Sequence, residues 1–317
     1  MSRLPAFLVS PPPSVGVEIA ADRVTAVSVA RQAGGFIVNA HGTERLAPGV
    51  VTPALNAVNV HDRRALSAAL RSAFDKASVR PRRVALVIPD SAAKISLLRF
   101  EKVPSASDLD QLIRWQVRKA APFKPEEAQI SWVPAAAIPG GGREYLVTLA
   151  RRDIVESYMQ ACADAGAEAG VVDLASLNLI NAVMGSGTGT AGDWLIVHVA
   201  SDYATLSIVR DGELILFRSR QLEAEGVLAD AVHQTAMYHE DRLGGAKFAR
   251  VVLSGVAARG ADTSERVRRA LEERMGVRVE PIDFRGTVAM RDRITAAPDL
   301  LDTLAPAVGV VLRERVA

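Results

Sequence analysis

The sequence predicts a duplicated α/β protein of two lobes, with a smaller subdomain inserted into the first. Three observations predict it. The order β-β-β-α-β occurs near the N-terminus and again from residue 193 onward. A different alternation of strands and helices lies between the copies. A glycine-rich stretch, Gly185 to Gly192, then leads into the second copy.

The first copy opens with strand-like runs at Val15–Ile19 and Val24–Val29, and Gly34-Gly35 turns the chain into Phe36–Asn39. A helix is expected from about Asp62 to Ala77, with Leu66, Ala69, Leu70 and Ala73 on one stripe. Val84–Ile88 is a short apolar run suited to a strand covered on both faces. The second copy reads Trp194–Val199, Ala204–Val209 and Leu214–Arg218, with Asp211-Gly212 as a strong hairpin signal. Helical sequence from Val227 to Arg242 and the strand Val251–Ser254 complete it. The copies agree in pattern without evident likeness in residues.

The insertion spans about 91–172. After a strand through Leu97, Leu98 and Phe100, Ser107 is placed to cap a helix with Asp108 and Asp110 in its first turn. Leu109, Leu112, Ile113 and Val117 form its apolar stripe, Arg118 and Lys119 close it, and Pro122 forbids continuation. Trp115 falls off that stripe, beside Arg114 and Arg118. Strands at Ile130–Ala135 and Tyr145–Ala150, a helix Asp153–Ala165 and a last strand opening at Val171-Val172 follow. The order β-α-β-β-α-β suggests a ferredoxin-like sheet with two helices on one face. A helix from Leu174 to Val183 is expected to carry the chain across to the second lobe. The expected division is a flexible tail at 1–13, a first lobe at 14–90 and 173–184, the insertion at 91–172, a linker at 185–192 and a second lobe at 193–317. Residues 223–248 form a small helical part of that lobe.

Composition narrows the function. Of 317 residues 49% are apolar but only 5% aromatic, so aliphatic and alanine-rich packing fills the cores. A net charge of +2 with interspersed signs argues against a nucleic-acid surface. One cysteine, Cys162, excludes a disulfide framework and indicates a reducing compartment. No apolar run approaches the roughly 18–20 residues of a membrane span, and the proline-broken N-terminus does not read as a signal peptide. Five scattered histidines show no zinc-ligand spacing, no nucleophile elbow is present, and Glu126-Glu127 follows a proline turn as a solvated pair. No catalytic residue and no metal site emerge.

The segments IPDSAAKISLLRFEKVP, LDQLIRWQVRKAAPFKPEEAQISW, YLVTLARRDIVESYMQACADAGAEAGVVDLASLNLINAV, TLSIVRDGELILFRSR and LAPAVGVVLRE resemble the PilM family. This is the cytoplasmic actin-like component of type IV pilus machines, itself similar to FtsA. The resemblance implies a duplicated actin-like ATPase (ribonuclease H-like) fold, with nucleotide between the lobes and a hairpin turn from each lobe around its phosphates. Glycine is wanted where backbone meets phosphate, and an acid where Mg²⁺ is oriented.

Carried onto this chain, the first-lobe motif falls on Glu18-Ile19-Ala20-Ala21-Asp22 and Thr25, and the second on His198-Val199-Ala200-Ser201. The adenosine-side motif falls on Ser254-Gly255-Val256-Ala257, with Gly309 further on. Glycine, lysine and one acid are lost, and Asp22 adds negative charge where phosphate belongs. The expectation is a degenerate site and no hydrolysis, so no cofactor; the competing reading keeps ATP and Mg²⁺, with Glu18 serving the metal.

The resemblance further implies a partner: the N-terminal cytoplasmic peptide of the inner-membrane protein PilN, lying in a groove between first lobe and insertion, with PilO and motor or platform proteins reached indirectly. Groove candidates are Leu97, Leu98, Phe100, Arg114, Trp115, Gln116, Arg118 and Phe123. For Leu112 and Val117 the core is the expected place. The implied location is cytoplasmic, at the membrane only through partners. An active ATPase and a GspL-like component of type II secretion are the alternatives.

Overall fold

β1 (Val15–Ile19), β2 (Arg23–Gln32) and β3 (Gly35–Arg45) form an antiparallel meander, and after α1 (Arg63–Lys76) β4 (Arg83–Ile88) pairs parallel with β1. The computed structural model describes residues 13–32, 35–102, 105–119, 121–138, 140–185, 191–222 and 225–313. Most of the expected tail, Gly34 of the first turn and much of the linker lie outside the described residues. Asp62 caps α1 by accepting from the Ala65 amide, and Leu66, Ala69, Leu70 and Ala73 are buried as the stripe predicts.

The insertion follows as β5 (Ala93–Phe100), α2 (Ala106–Arg118), β6 (Ala128–Ile138), β7 (Gly142–Arg151), α3 (Arg152–Asp164) and β8 (Glu168–Leu174). The β-α-β-β-α-β order is present, but only three strands make the small sheet, in the order β5-β7-β6. β8 instead pairs parallel with β4. α3 buries Ile154, Tyr158, Ala161 and Cys162 in the first-lobe core alongside α1. The ferredoxin-like expectation is therefore corrected to a three-stranded sheet carrying one helix. The reason is edge chemistry: β4, apolar on both faces, needs a partner on its second edge, and β8 supplies it. At α2 the cap is Ser105, whose side chain accepts from the Asp108 amide, and not Ser107. Leu109, Ile113 and Val117 are buried, whereas Leu112 is 39% exposed, another departure from the expected stripe.

α4 (Ala175–Met184) leads to β9 (Asp193–Val199), β10 (Tyr203–Arg210), β11 (Glu213–Gln221), α5 (Glu225–Leu243), β12 (Arg250–Ser254), α6 (Ala261–Met275), β13 (Val279–Pro281), β14 (Val288–Met290) and α7 (Pro298–Leu312). The β10–β11 turn is the predicted one, with φ of 49° at Asp211 and 89° at Gly212, as a primed turn requires. The second sheet runs β11-β10-β9-β12-β13, and five strands of the first run β3-β2-β1-β4-β8. The two match strand for strand in order and direction.

The chain does not stay in the second lobe to its end. β14 pairs parallel with β3, and α7 packs on β1, β2, β4 and α4. Assigning everything after residue 193 to the second lobe is thus corrected. α4 and α7 form a layer between the sheets, where Leu179, Leu304 and Val308 meet Val27 from one side and Trp194 and Ile196 from the other. Gly309 belongs to this layer: a Cβ there would stand 1.8 Å from the Asn178 carbonyl oxygen. Its lack of a side chain sets helix spacing, and it is not part of the cleft.

Candidate functional site in the interlobe cleft

The β1–β2 and β9–β10 hairpins are the same turn built twice. Ala20 N–H donates to the Arg23 carbonyl at 2.9 Å, and Ala200 N–H to the Tyr203 carbonyl at 2.9 Å. Asp22 and Asp202 accept through their carbonyls from Leu46 and Leu222 at 2.8 and 3.0 Å. Glu18, Ala20, Asp22, Arg23 and Thr25 thus correspond to His198, Ala200, Asp202, Tyr203 and Thr205. Both turns line one cleft, with Pro89, Ala175, Gly255 and Arg259.

Inside it, Arg23 lies 3.3 Å from Glu18 and 3.3 Å from Asp22. Glu18 is nearly inaccessible, and burial pushes its carboxyl above the usual range against the pull of Arg23. Burial raises the Asp202 carboxyl too. Thr25, expected at the site, points elsewhere: it is buried and bonded to Thr43 at 3.3 Å. Ser201 stays at the turn, beside Asp202. Arg259 reaches from the opposite wall to the carbonyls of Ala200 and Val199.

A buried polar group forms the floor. Asp90, just past β4, accepts from the Ser176 amide at 3.0 Å, from the Ser176 hydroxyl, and from the Thr205 hydroxyl at 2.7 Å. The Ser176 oxygen lies 3.0 Å from His198 Nδ1, and the Asp90 amide donates to the Tyr203 hydroxyl at 3.2 Å. The third wall is a loop held from behind. Asp302 of α7 accepts from the Ser254 hydroxyl and Gly255 amide, both at 2.6 Å, and from the Ala257 amide at 2.8 Å. Gly255 has φ of 88°, and a Cβ there would stand 2.1 Å from the Val199 carbonyl oxygen. Glycine is needed at this position for closeness to β9.

Neither hairpin turn presents a glycine or a lysine to the cleft. The enclosed part of the cleft measures about 40 Å³, although its outline with the open mouth reaches about 500 Å³. That enclosed space suits two or three waters. Two loop amides that could meet a phosphate are taken by Asp302, carboxylates flank the Arg23 guanidinium, and that of Arg259 lies on backbone carbonyls.

The groove candidates do not converge. Phe100 is buried beneath α2, its ring 5.7 Å from Tyr145 in an edge-on contact, and Leu98 packs on the same cluster. Leu97 alternates to the opposite sheet face, half-buried. Trp115 is 58% exposed with the Lys119 ammonium 4.4 Å over its ring, while Arg114 pairs with Asp110 at 2.7 Å. Arg118 is exposed, and Gln116 and Phe123 are half-buried. Core, outer helix face and lower sheet face thus divide the set.

Sequence reasoning missed Arg23, Asp90, Ser176, Thr205 and Asp302. Aligning EIAADRVT with HVASDYAT would have found Arg23 and Thr205. Nothing local marks Asp90 or Asp302, since their partners come from distant segments.

A duplicated five-stranded sheet, with one hairpin from each copy facing an interlobe cleft, defines a protein of the actin-like ATPase fold. The family described as type IV pilus assembly protein PilM matches residues 16–242, and the chain belongs to that family, whose role is in pilus assembly. Among solved structures it is similar to the PilM-PilN type IV pilus biogenesis complex, with TM-score 0.80 and 17% identity over 95% of this chain and 98% of that one. It is also similar to a Bacteroides thetaiotaomicron protein of actin-like ATPase fold, with TM-score 0.52 and 11% identity over 96% and 99%. A third likeness is to the ethanolamine utilization protein EutJ of Carboxydothermus hydrogenoformans, with TM-score 0.50 and 13% identity over 96% and 90%. A comparison with curated protein sequences returns no match. Among the described residues, no helix is long and apolar enough to cross a membrane.

Proposed function

We propose that this chain is a scaffold of type IV pilus assembly that binds the cytoplasmic N-terminal peptide of PilN at the inner membrane, and that its cleft does not turn over ATP. The likeness to the PilM-PilN complex over nearly the whole of both chains carries the partner reading. Arg23, held between Glu18 and Asp22 in a cleft with room for little more than water, supports the silent one.

An extended peptide is captured by main-chain hydrogen bonds and pockets for alternate side chains. β5 and β6 are the edges of the small sheet, and Leu112 and Trp115 are its helix's exposed apolar residues. Through PilN the protein would sit in the cytoplasm against the membrane, with PilO and motor or platform proteins one step away. Titration with a synthetic PilN N-terminal peptide tests this. Saturable binding is expected, unaltered by ATP and magnesium, and its absence overturns the reading. Binding undiminished after Arg114→Ala with Trp115→Ala removes those two residues from the interface. ATP hydrolysis lost on Glu18→Ala would instead establish an active enzyme.

A further inference from the structure

Two parts of the contact between the lobes differ in physical character. One is the apolar α4–α7 layer, whose contacts are non-directional and tolerate small rotations. The other is the hub around Asp90, which is buried, directional and assembled from both lobes. Asp90 follows β4, and one of its oxygens takes the Ser176 amide near the start of α4, a helix whose N-cap residue Leu174 offers no side-chain cap. The same carboxylate reaches Thr205 on β10 of the second lobe. The Asp90 amide reaches Tyr203 of that lobe, and Ser176 reaches His198. Rotation that opened the cleft would break the Thr205, Tyr203 and His198 links together. It would leave Asp90 in a site that had lost its second-lobe donor.

We propose that Asp90, Ser176, Thr205, Tyr203 and His198 form an interlobe latch that holds the cleft shut with no bound ligand. The bridge that a nucleotide makes elsewhere in this fold is made here by the chain's own side chains. The closed arrangement is therefore the resting state, and closure does not depend on ATP. The latch rests on geometry within the chain and stands whether or not PilN is the partner.

Hydrogen–deuterium exchange on the full chain tests it, comparing wild type with Thr205→Val. The Thr205 hydroxyl bonds Asp90 and not the 18–23 hairpin of the other lobe, so a purely local loss would leave that hairpin unchanged. The latch requires amides of both 18–23 and 198–203 to exchange about tenfold faster, the effect of losing one net hydrogen bond, while α1 and β13 hold their rates. Thr205→Ser should behave as wild type. If Thr205→Val speeds exchange throughout both lobes, Tyr203→Phe decides, since it removes one hydroxyl from the same hub and little volume. Unchanged exchange at 18–23 in the deciding variant overturns the proposal.

Discussion

Arg23 and Tyr203 hold the same position in a duplicated hairpin, and both side chains turn into the cleft between the lobes. One is a cation locked on Glu18 and the other an aromatic whose hydroxyl accepts from the Asp90 amide. Duplication supplied the frame, and divergence filled its centre from within.

The Glu18–Arg23 pair should be strongly coupled. Arg23→Met leaves an uncompensated buried carboxylate and should cost about 3 kcal/mol in urea unfolding. Adding Glu18→Gln should return much of that loss. Strict additivity of the two changes would contradict the pairing.

Asp302 holds the 254–257 loop by three hydrogen bonds. Asp302→Ala orphans a hydroxyl and two amides, and should lower stability by roughly 3 kcal/mol. Asp302→Asn should recover part of this, because one oxygen still accepts. Thermal melts of the three proteins provide the check, and an unshifted Asp302→Ala melt would discard this role.

Gly309 separates a packing role from a ligand role. Gly309→Ala drives a methyl into the Asn178 carbonyl and should destabilise by about 3 kcal/mol. Peptide binding at a temperature where the variant is folded should be unchanged. A variant as stable as wild type would mean that α4 and α7 pack more loosely than described.

Asp193 predicts an acid limb. Arg210 donates to both its oxygens, at 2.7 and 2.6 Å, and His239 shares one of them. These partners, Arg210 foremost, hold the Asp193 carboxyl below the usual range. A depressed carboxylate stabilises the fold fully above its unfolded value near ~3.9, and the contribution fades as pH falls through the folded value. Asp193→Asn should cost about 2 kcal/mol at pH 7, a figure reduced for the partial exposure of Arg210. The gap between variant and wild type should begin to narrow below about pH 4 and shrink further as the pH falls. A gap constant from pH 2 to 7 would exclude this origin.

Much of the fold was readable because its signals are local. The α1 stripe, the buried β4 run and the Asp211-Gly212 turn each depend on residues a few positions apart, and each stands where the pattern put it. What failed depended on partners far along the chain. Leu112 and Val117 read alike as stripe residues, yet only Val117 meets the Phe100–Tyr145 cluster.

Periodicity and turn chemistry, both short-range, determined by themselves the duplication and the presence of an inserted segment, while the motif positions lacking glycine came from the family resemblance. Tertiary structure alone decided that β8 and α3 complete the first lobe, that α7 returns between the sheets, and that Asp90 and Asp302 brace the cleft from beneath and behind. The physical reason is that an open strand edge or a buried carboxylate must be satisfied by whatever comes near in space. Sequence does not record that neighbour.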